Sequence, residues 1–194
     1  MKVKSFFLGI FSAFILINTG VLAQTGKVKT GTKITYAASD PSASVSLPVV
    51  ITIPKTGGLV LDYTVKQPQK SFNGKISVTK QGLENANSIS WGDLSPDQNT
   101  TLSDNETAFC FSRTFYSQLV KSKSAAYNKV TYSLQASSKD SKIKVGTKTL
   151  DALYIIGTNG TKYWILSDPN YPILLKVSGN TVGPDLVVKE VSGL

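Results

Sequence analysis

From Leu47 onward, apolar and polar side chains alternate one for one. Leu47, Val49, Ile51 and Ile53 fall on one face of an extended segment, and Leu59, Leu61, Tyr63 and Val65 oppose Asp62, Thr64 and Lys66 in the next. Ile76 and Val78 stand against Lys75, Ser77 and Thr79, and Val130, Tyr132 and Leu134 against Thr131, Ser133 and Gln135. Successive side chains of a strand point to opposite faces, so these runs predict antiparallel strands with one face buried and the other in water.

Turn residues separate the runs at short intervals: Gly57-Gly58, Asn73-Gly74, Asn159-Gly160, the 167–172 segment and Gly179-Asn180. Asn159-Gly160 is the clearest, predicting a type I′ hairpin turn between strands at 150–156 and 162–166. About ten strands at this spacing predict an all-β fold: a curved antiparallel sheet arranged as a half-barrel or a sandwich. One short helix is expected, at 112–121. Ser112 caps it, Phe115 and Leu119 lie one turn apart, and Lys121 and Lys123 suit its C-terminal end. The polar stretches 81–90 and 93–105 predict long loops, with a helical turn at 83–87.

Near the C-terminus the alternation gives way to strands apolar on both faces. Ala152, Tyr154 and Ile156 back onto Leu153 and Ile155, and Tyr163 and Ile165 onto Trp164 and Leu166. Such strands need cover on both sides. Leu153, Ile155, Trp164 and Leu166 are therefore the expected lining of an apolar groove, with a core closed by Phe115 and Leu119 as the competing arrangement.

The N-terminus departs from all of this. Lys2 and Lys4 precede the apolar stretch 6–17, and small residues follow to Val21-Leu22-Ala23. This is the pattern of a secretory signal spanning 1–23, leaving a single all-β domain over 24–194 that is exported to the periplasm or beyond the cell. The apolar stretch is shorter than the roughly 20 residues a membrane-spanning helix needs, so no integral membrane segment is expected in the mature chain. Gln24, not a cysteine, follows the expected cleavage point, which argues against a lipid anchor.

Charge and composition narrow the chemistry. The net charge is +9, and loss of Lys2 and Lys4 with the signal lowers it by two. Arg113 is the only arginine, and the lysines are dispersed. Nucleic-acid recognition leans on guanidinium forks and massed charge, so no nucleic-acid partner is expected. There is no histidine, which excludes Ser-His-Asp and Cys-His catalysis and histidine-bearing zinc sites. Cys110, the single cysteine, sits in Ala108-Phe109-Cys110-Phe111 and reads as a buried, unreactive thiol.

The acidic residues show no glycosidase-like pairing in their order. Asp93, Asp97, Asp104 and Glu106 cluster in sequence but lack the spacing of a calcium loop. No metal and no cofactor is expected. Trp91 and Trp164 are candidate sugar-stacking platforms, Trp164 being the more structural by its apolar neighbours. The N-x-T sequons at Asn99, Asn105 and Asn159 are accounted for by chance in a chain rich in Asn and Thr.

The stretches Lys144-Val145-Gly146, Asp151-Ala152-Leu153-Tyr154-Ile155-Ile156, Tyr163-Trp164-Ile165-Leu166 and Tyr171-Pro172-Ile173-Leu174-Leu175-Lys176-Val177 resemble a group of exported bacterial proteins of the Bacteroidetes type. So does the run from Leu102 to Thr107 and on to Phe111-Ser112-Arg113. The resemblance implies a half-barrel related to periplasmic lipoprotein carriers, without a catalytic motif. The resemblance bears on fold and export more than on activity; it is the two-faced apolar C-terminal strands that lead to a non-enzymatic binding module for a lipid or other apolar small molecule. A structural or adhesive domain with an envelope-protein partner is the second expectation, and a polysaccharide hydrolase the third.

Overall fold

The alternating runs pair into one large sheet. In the computed structural model, residues 26–40, 43–67, 69–92, 94–136 and 140–194 are described. The expected signal and its cleavage point lie outside them.

A meander opens the chain: β1 (Lys33–Asp40), β2 (Ala43–Thr52), β3 (Leu59–Lys66) and β4 (Ser71–Val78). A connecting region follows, with α1 (Lys80–Asn85), β5 (Ser88–Ile89), β6 (Asn99–Thr101), β7 (Glu106–Thr107) and α2 (Arg113–Ser122). The remaining strands are β8 (Ser124–Tyr127), β9 (Val130–Leu134), β10 (Lys142–Val145), β11 (Lys148–Gly157), β12 (Lys162–Leu166), β13 (Leu174–Ser178) and β14 (Asp185–Ser192).

Twelve of these strands form a single curved sheet in the order β6-β4-β3-β2-β1-β14-β13-β12-β11-β9-β8, with β10 paired to β11. β14 returns to lie beside β1 and so joins the two halves. The pairing within this sheet is antiparallel except where β6 runs parallel to β4. The sheet bends strongly without closing into a barrel, and β6 and β8 stand at its ends. Register shifts at Thr35/Tyr36 against β14 and at Trp164/Ile165 against β13 add to the bend, because an extra residue on one strand increases the local twist.

Directly paired residues share a face, so the register separates inner from outer positions. Ile34 pairs with Val49, Tyr36 with Leu47 and Ala38 with Val45, and the row continues through Val49 with Tyr63 and Ile51 with Leu61. These inner positions are almost all buried. The outer positions Asp62, Lys66 and Lys75 are solvated, with Lys75 Nζ 3.4 Å from Asp62.

α2 forms where expected. Ser112 Oγ accepts from Phe115 N at 3.3 Å, and Lys123 closes the helix with φ 61. Phe115, Tyr116 and Leu119 are its buried side. Phe111 stacks on Phe115 at 4.5 Å and meets Tyr163 edge-on at 5.2 Å, and Tyr163 meets Tyr132 at 5.5 Å. This aromatic cluster fills the inner face of the C-terminal half.

Several expectations need correction. Asn73-Gly74 is no turn: both residues lie inside β4, opposite Thr64 and Tyr63. The 158–161 turn does join β11 to β12, but it is not type I′. Gly160 alone carries positive φ, at 84, and its N–H donates to Gly157 O at 2.9 Å. That is a type I turn closed by a left-handed glycine. The helical turn expected at 83–87 is α1, displaced toward the N-terminus because Thr79 caps it, its Oγ1 accepting from Gly82 N at 2.9 Å. Of the two expected arrangements, one curved sheet is found and not a sandwich.

Candidate functional site

α2 covers only part of the inner face. Over the other part, the sheet positions Ala38, Val45, Leu47, Val65, Phe72 and Ile76 face a cavity of about 1030 Å³. Leu102 and Phe109 line it from the connecting region, and Leu186 from β14. The volume stands at the upper end of the roughly 300–1,000 Å³ typical of small-molecule sites.

Two segments cover the opening. The first, 90–98, brings Trp91 and Leu94 over the inner face. Tyr63 OH donates to Ser95 O at 3.1 Å, Asp97 N to Asn73 O at 2.8 Å and Lys75 N to Gln98 O at 2.7 Å. The segment is thus stitched to β3 and β4 and leads directly into β6. Burial raises the Tyr63 phenol above its ordinary pKa.

The second cover is the connection from β13 to β14. Gly179 turns it with φ 71, and Asp185 Oδ1 accepts from Asn180 N at 3.0 Å. Gly183 lies against the Trp91 indole so closely that a Cβ there would come within 2.7 Å of the ring. Val182, 65% exposed, stands at the rim and is one of two large apolar side chains left in water among the described residues.

Phe109 reaches the cavity from an unfavourable backbone. Its φ is 55, a left-handed conformation that bulky side chains rarely adopt. The surroundings hold it there: its carbonyl accepts from Leu174 N at 2.8 Å, and its ring lies 5.3 Å from that of Tyr36, whose OH donates to Leu174 O at 2.9 Å. Strain of this kind persists only where packing over-determines it. Beside it Cys110 is fully buried, and desolvation pushes its thiol up to about 12.

None of Leu153, Ile155, Trp164 and Leu166 lines this cavity. Ile155 pairs with Tyr163 beneath the aromatic cluster and is fully buried. Leu153 pairs with Ile165 on the same inner face and is half-buried. Trp164 and Leu166 lie on the outer face. Both sides of the Trp164 indole are occupied, by Tyr154 stacked at 4.6 Å and by Lys176 Nζ at 4.4 Å, which leaves no free face for a sugar ring. Leu166 is 1% exposed and pairs with Ala152. On that face Leu150, Ile143 and Val145 are buried as well, because β10 reaches across to β14.

The acidic run does not converge. Asp104 Oδ1 accepts from Thr79 Oγ1 at 2.6 Å, Glu106 Oε2 accepts from Ser103 Oγ at 2.8 Å, and Asp97 is exposed. Asp93 lies outside the described residues. Among the described residues no group of three or more metal-ligating side chains comes together. Asp168 does form the turn expected of it, Oδ1 accepting from Asn170 N at 3.0 Å. It also accepts from Val28 N at 2.9 Å through Oδ2, which ties the N-terminal end of the described chain to the β12–β13 turn.

The cavity lining escaped the sequence reading because it is assembled from distant segments. The one local sign was Trp91 and Leu94, isolated apolar residues in an otherwise polar run. Compared with known proteins, the chain matches no family model, no curated protein and no solved structure.

Proposed function

We propose that this is a non-enzymatic binding module that, after export, holds a lipid or other apolar small molecule in the inner-face cavity. The observation that carries the reading is the cavity itself: about 1030 Å³, partly open and lined by Val45, Leu47, Val65, Phe72, Ile76 and Phe109. Apolar side chains such as Phe72, Ile76 and Phe109 that face the open cavity are left partly in contact with water, which an apolar ligand would displace. The first covering segment is held to β3 through Ser95, the second is closed on itself by Asn180 and Asp185, and Val182 is left exposed, an arrangement suited to admitting a ligand past it.

The lining favours binding over hydrolysis. Among the described residues it contains one carboxylate, Asp185, where a glycosidase needs two. The edges give little support to an adhesive domain, since β6 is 3 residues long and β8 is 4. Short edge strands resist pairing with another chain.

Native mass spectrometry of protein purified without delipidation, alongside titration with the fluorescent apolar probe phenylnaphthylamine, tests the reading. A co-purifying apolar mass, or saturable probe fluorescence displaced by a lipid, is expected. Protein that is ligand-free and leaves the probe dark would overturn it.

A further inference from the structure

The polar end of the same cavity indicates which part of a ligand it accepts, an inference that rests on the binding reading above. The protein is strongly basic, at +9, yet no lysine or arginine is among the described residues that line the cavity. Among the described residues, the two covering segments, 90–98 and 179–186, contain Asp97 and Asp185 and no basic residue. Apart from Asp185, the polar side chains of the lining are uncharged, among them the amides of Gln67 and Gln98 and the hydroxyls of Ser39 and Thr100, while the Asn180 amide is engaged within its own segment by Val182 N and Pro184 O. Amides and hydroxyls both donate and accept, so they suit a headgroup that does the same.

An anionic headgroup fares badly here. Leaving water for an apolar cavity costs a carboxylate or phosphate several kcal/mol unless a cation or several donors replace its hydration. Among the described residues no cation lines the cavity, and Asp185 adds repulsion. A cationic headgroup gains little in return, because Asp185 is half-exposed and its Oδ1 is already engaged by Asn180 N at 3.0 Å.

We infer that the cavity selects an apolar ligand carrying an uncharged, hydroxyl- or amide-bearing headgroup, in the manner of a monoacylglycerol or long-chain alcohol, and rejects the corresponding fatty-acid anion.

Displacement of bound phenylnaphthylamine by monolaurin, laurate and laurylammonium, each below its micellar concentration, tests this on the full protein. At pH about 8 monolaurin should displace the probe at concentrations at least ~10-fold lower than laurate, with laurylammonium between them. Lowering the pH toward about 5 should narrow the gap, because laurate then becomes partly neutral. Gln67→Lys, at an exposed position of the lining, should improve laurate relative to monolaurin about 5-fold, by adding a cation where the wild type has an amide. Thr100→Lys serves as a second variant if the first fails to fold. Equal displacement by laurate and monolaurin, or tightest displacement by laurylammonium, would overturn the headgroup inference while cavity binding stands. A wild-type protein that never binds the probe would remove the binding reading itself.

Discussion

Gly74 stands directly across the β3–β4 ladder from Tyr63, and the Tyr63 phenol fills the space that a Cβ at Gly74 would take. The glycine is there for room and not for a turn, since its φ is not among the positive ones. Lying flat over Gly74 brings the Tyr63 hydroxyl to Ser95 O and so holds down the 90–98 cover.

Gly74→Ala should therefore act on the cover more than on the sheet. The added methyl displaces the ring and breaks the bond to Ser95, at an overpacking cost of about 1–3 kcal/mol. The expected result is a lower denaturation midpoint together with weaker phenylnaphthylamine binding. Tyr63→Phe, which removes the hydroxyl and keeps the ring, should weaken binding with a smaller loss of stability. Unchanged probe affinity in both variants would mean that the Ser95 contact does not hold the cover.

That glycine also marks how far the sequence could be read. β3 was legible residue by residue, because Leu59, Leu61, Tyr63 and Val65 are inner positions of a strand with a solvated outer face. α2 was legible from its Ser112 cap, and burial of Cys110 from its apolar neighbours. Asn73-Gly74 carries the same local signal as a hairpin turn, and only the Tyr63 ring across the ladder explains it. The cavity was illegible for a related reason. Its lining runs from Ala38 to Leu186 and is assembled by pairings such as β1 with β14, which no local period encodes. The two-faced C-terminal strands were rightly read as needing cover on both sides. What covers their inner face, however, is α2 with its aromatic cluster, leaving the open space over β1–β4.

Burial of ionisable neutral groups predicts an alkaline limit to stability. Cys110 is held up to about 12 by desolvation first, and burial also raises the phenols of Tyr36, Tyr127 and Tyr163 well above their ordinary value. In the unfolded chain these groups lose their protons near pH about 9–10, whereas the folded chain keeps them. The unfolded state then binds fewer protons, so stability falls as pH rises through that range, by up to about 1.4 kcal/mol per pH unit for each such group. Urea midpoints should be flat from neutral pH to about 9 and drop steeply beyond it. Tyr163→Phe should make the drop shallower, and an equally steep drop in that variant would contradict the assignment.

The β8–β9 hairpin offers a stabilising change. Asn128 and Lys129 both carry positive φ, 47 and 63, in a two-residue turn between Tyr127 and Val130. This is the type I′ geometry expected instead at Asn159-Gly160, and here a lysine occupies the position where glycine is preferred. A left-handed conformation costs a side-chain-bearing residue roughly 1–2 kcal/mol, against roughly 0.5–1 kcal/mol for the extra chain entropy of glycine. Lys129→Gly should accordingly raise stability by about 0.5–1 kcal/mol. A lower thermal midpoint would show that Lys129 contributes contacts which outweigh its backbone strain.

The two halves of the sheet should separate cleanly in a paired test. Leu166 is 1% exposed on the outer face and remote from the cavity lining, whereas Phe72 is half-buried and forms part of that lining. Leu166→Ala removes packed methyl groups from a site with little room to relax, which costs about 2–5 kcal/mol. It leaves the cavity wall intact, so the folded fraction should bind phenylnaphthylamine as the wild type does. Phe72→Ala already faces open space and loses less packing, so its stability cost should be well below that of Leu166→Ala. Its probe affinity should nonetheless fall several-fold, because the ring that a ligand would contact is gone. Measuring unfolding midpoint and probe affinity on both variants gives opposite patterns if the ligand lies over β1–β4. Loss of binding in Leu166→Ala with retention in Phe72→Ala would move the site to the C-terminal strands and sink the cavity assignment.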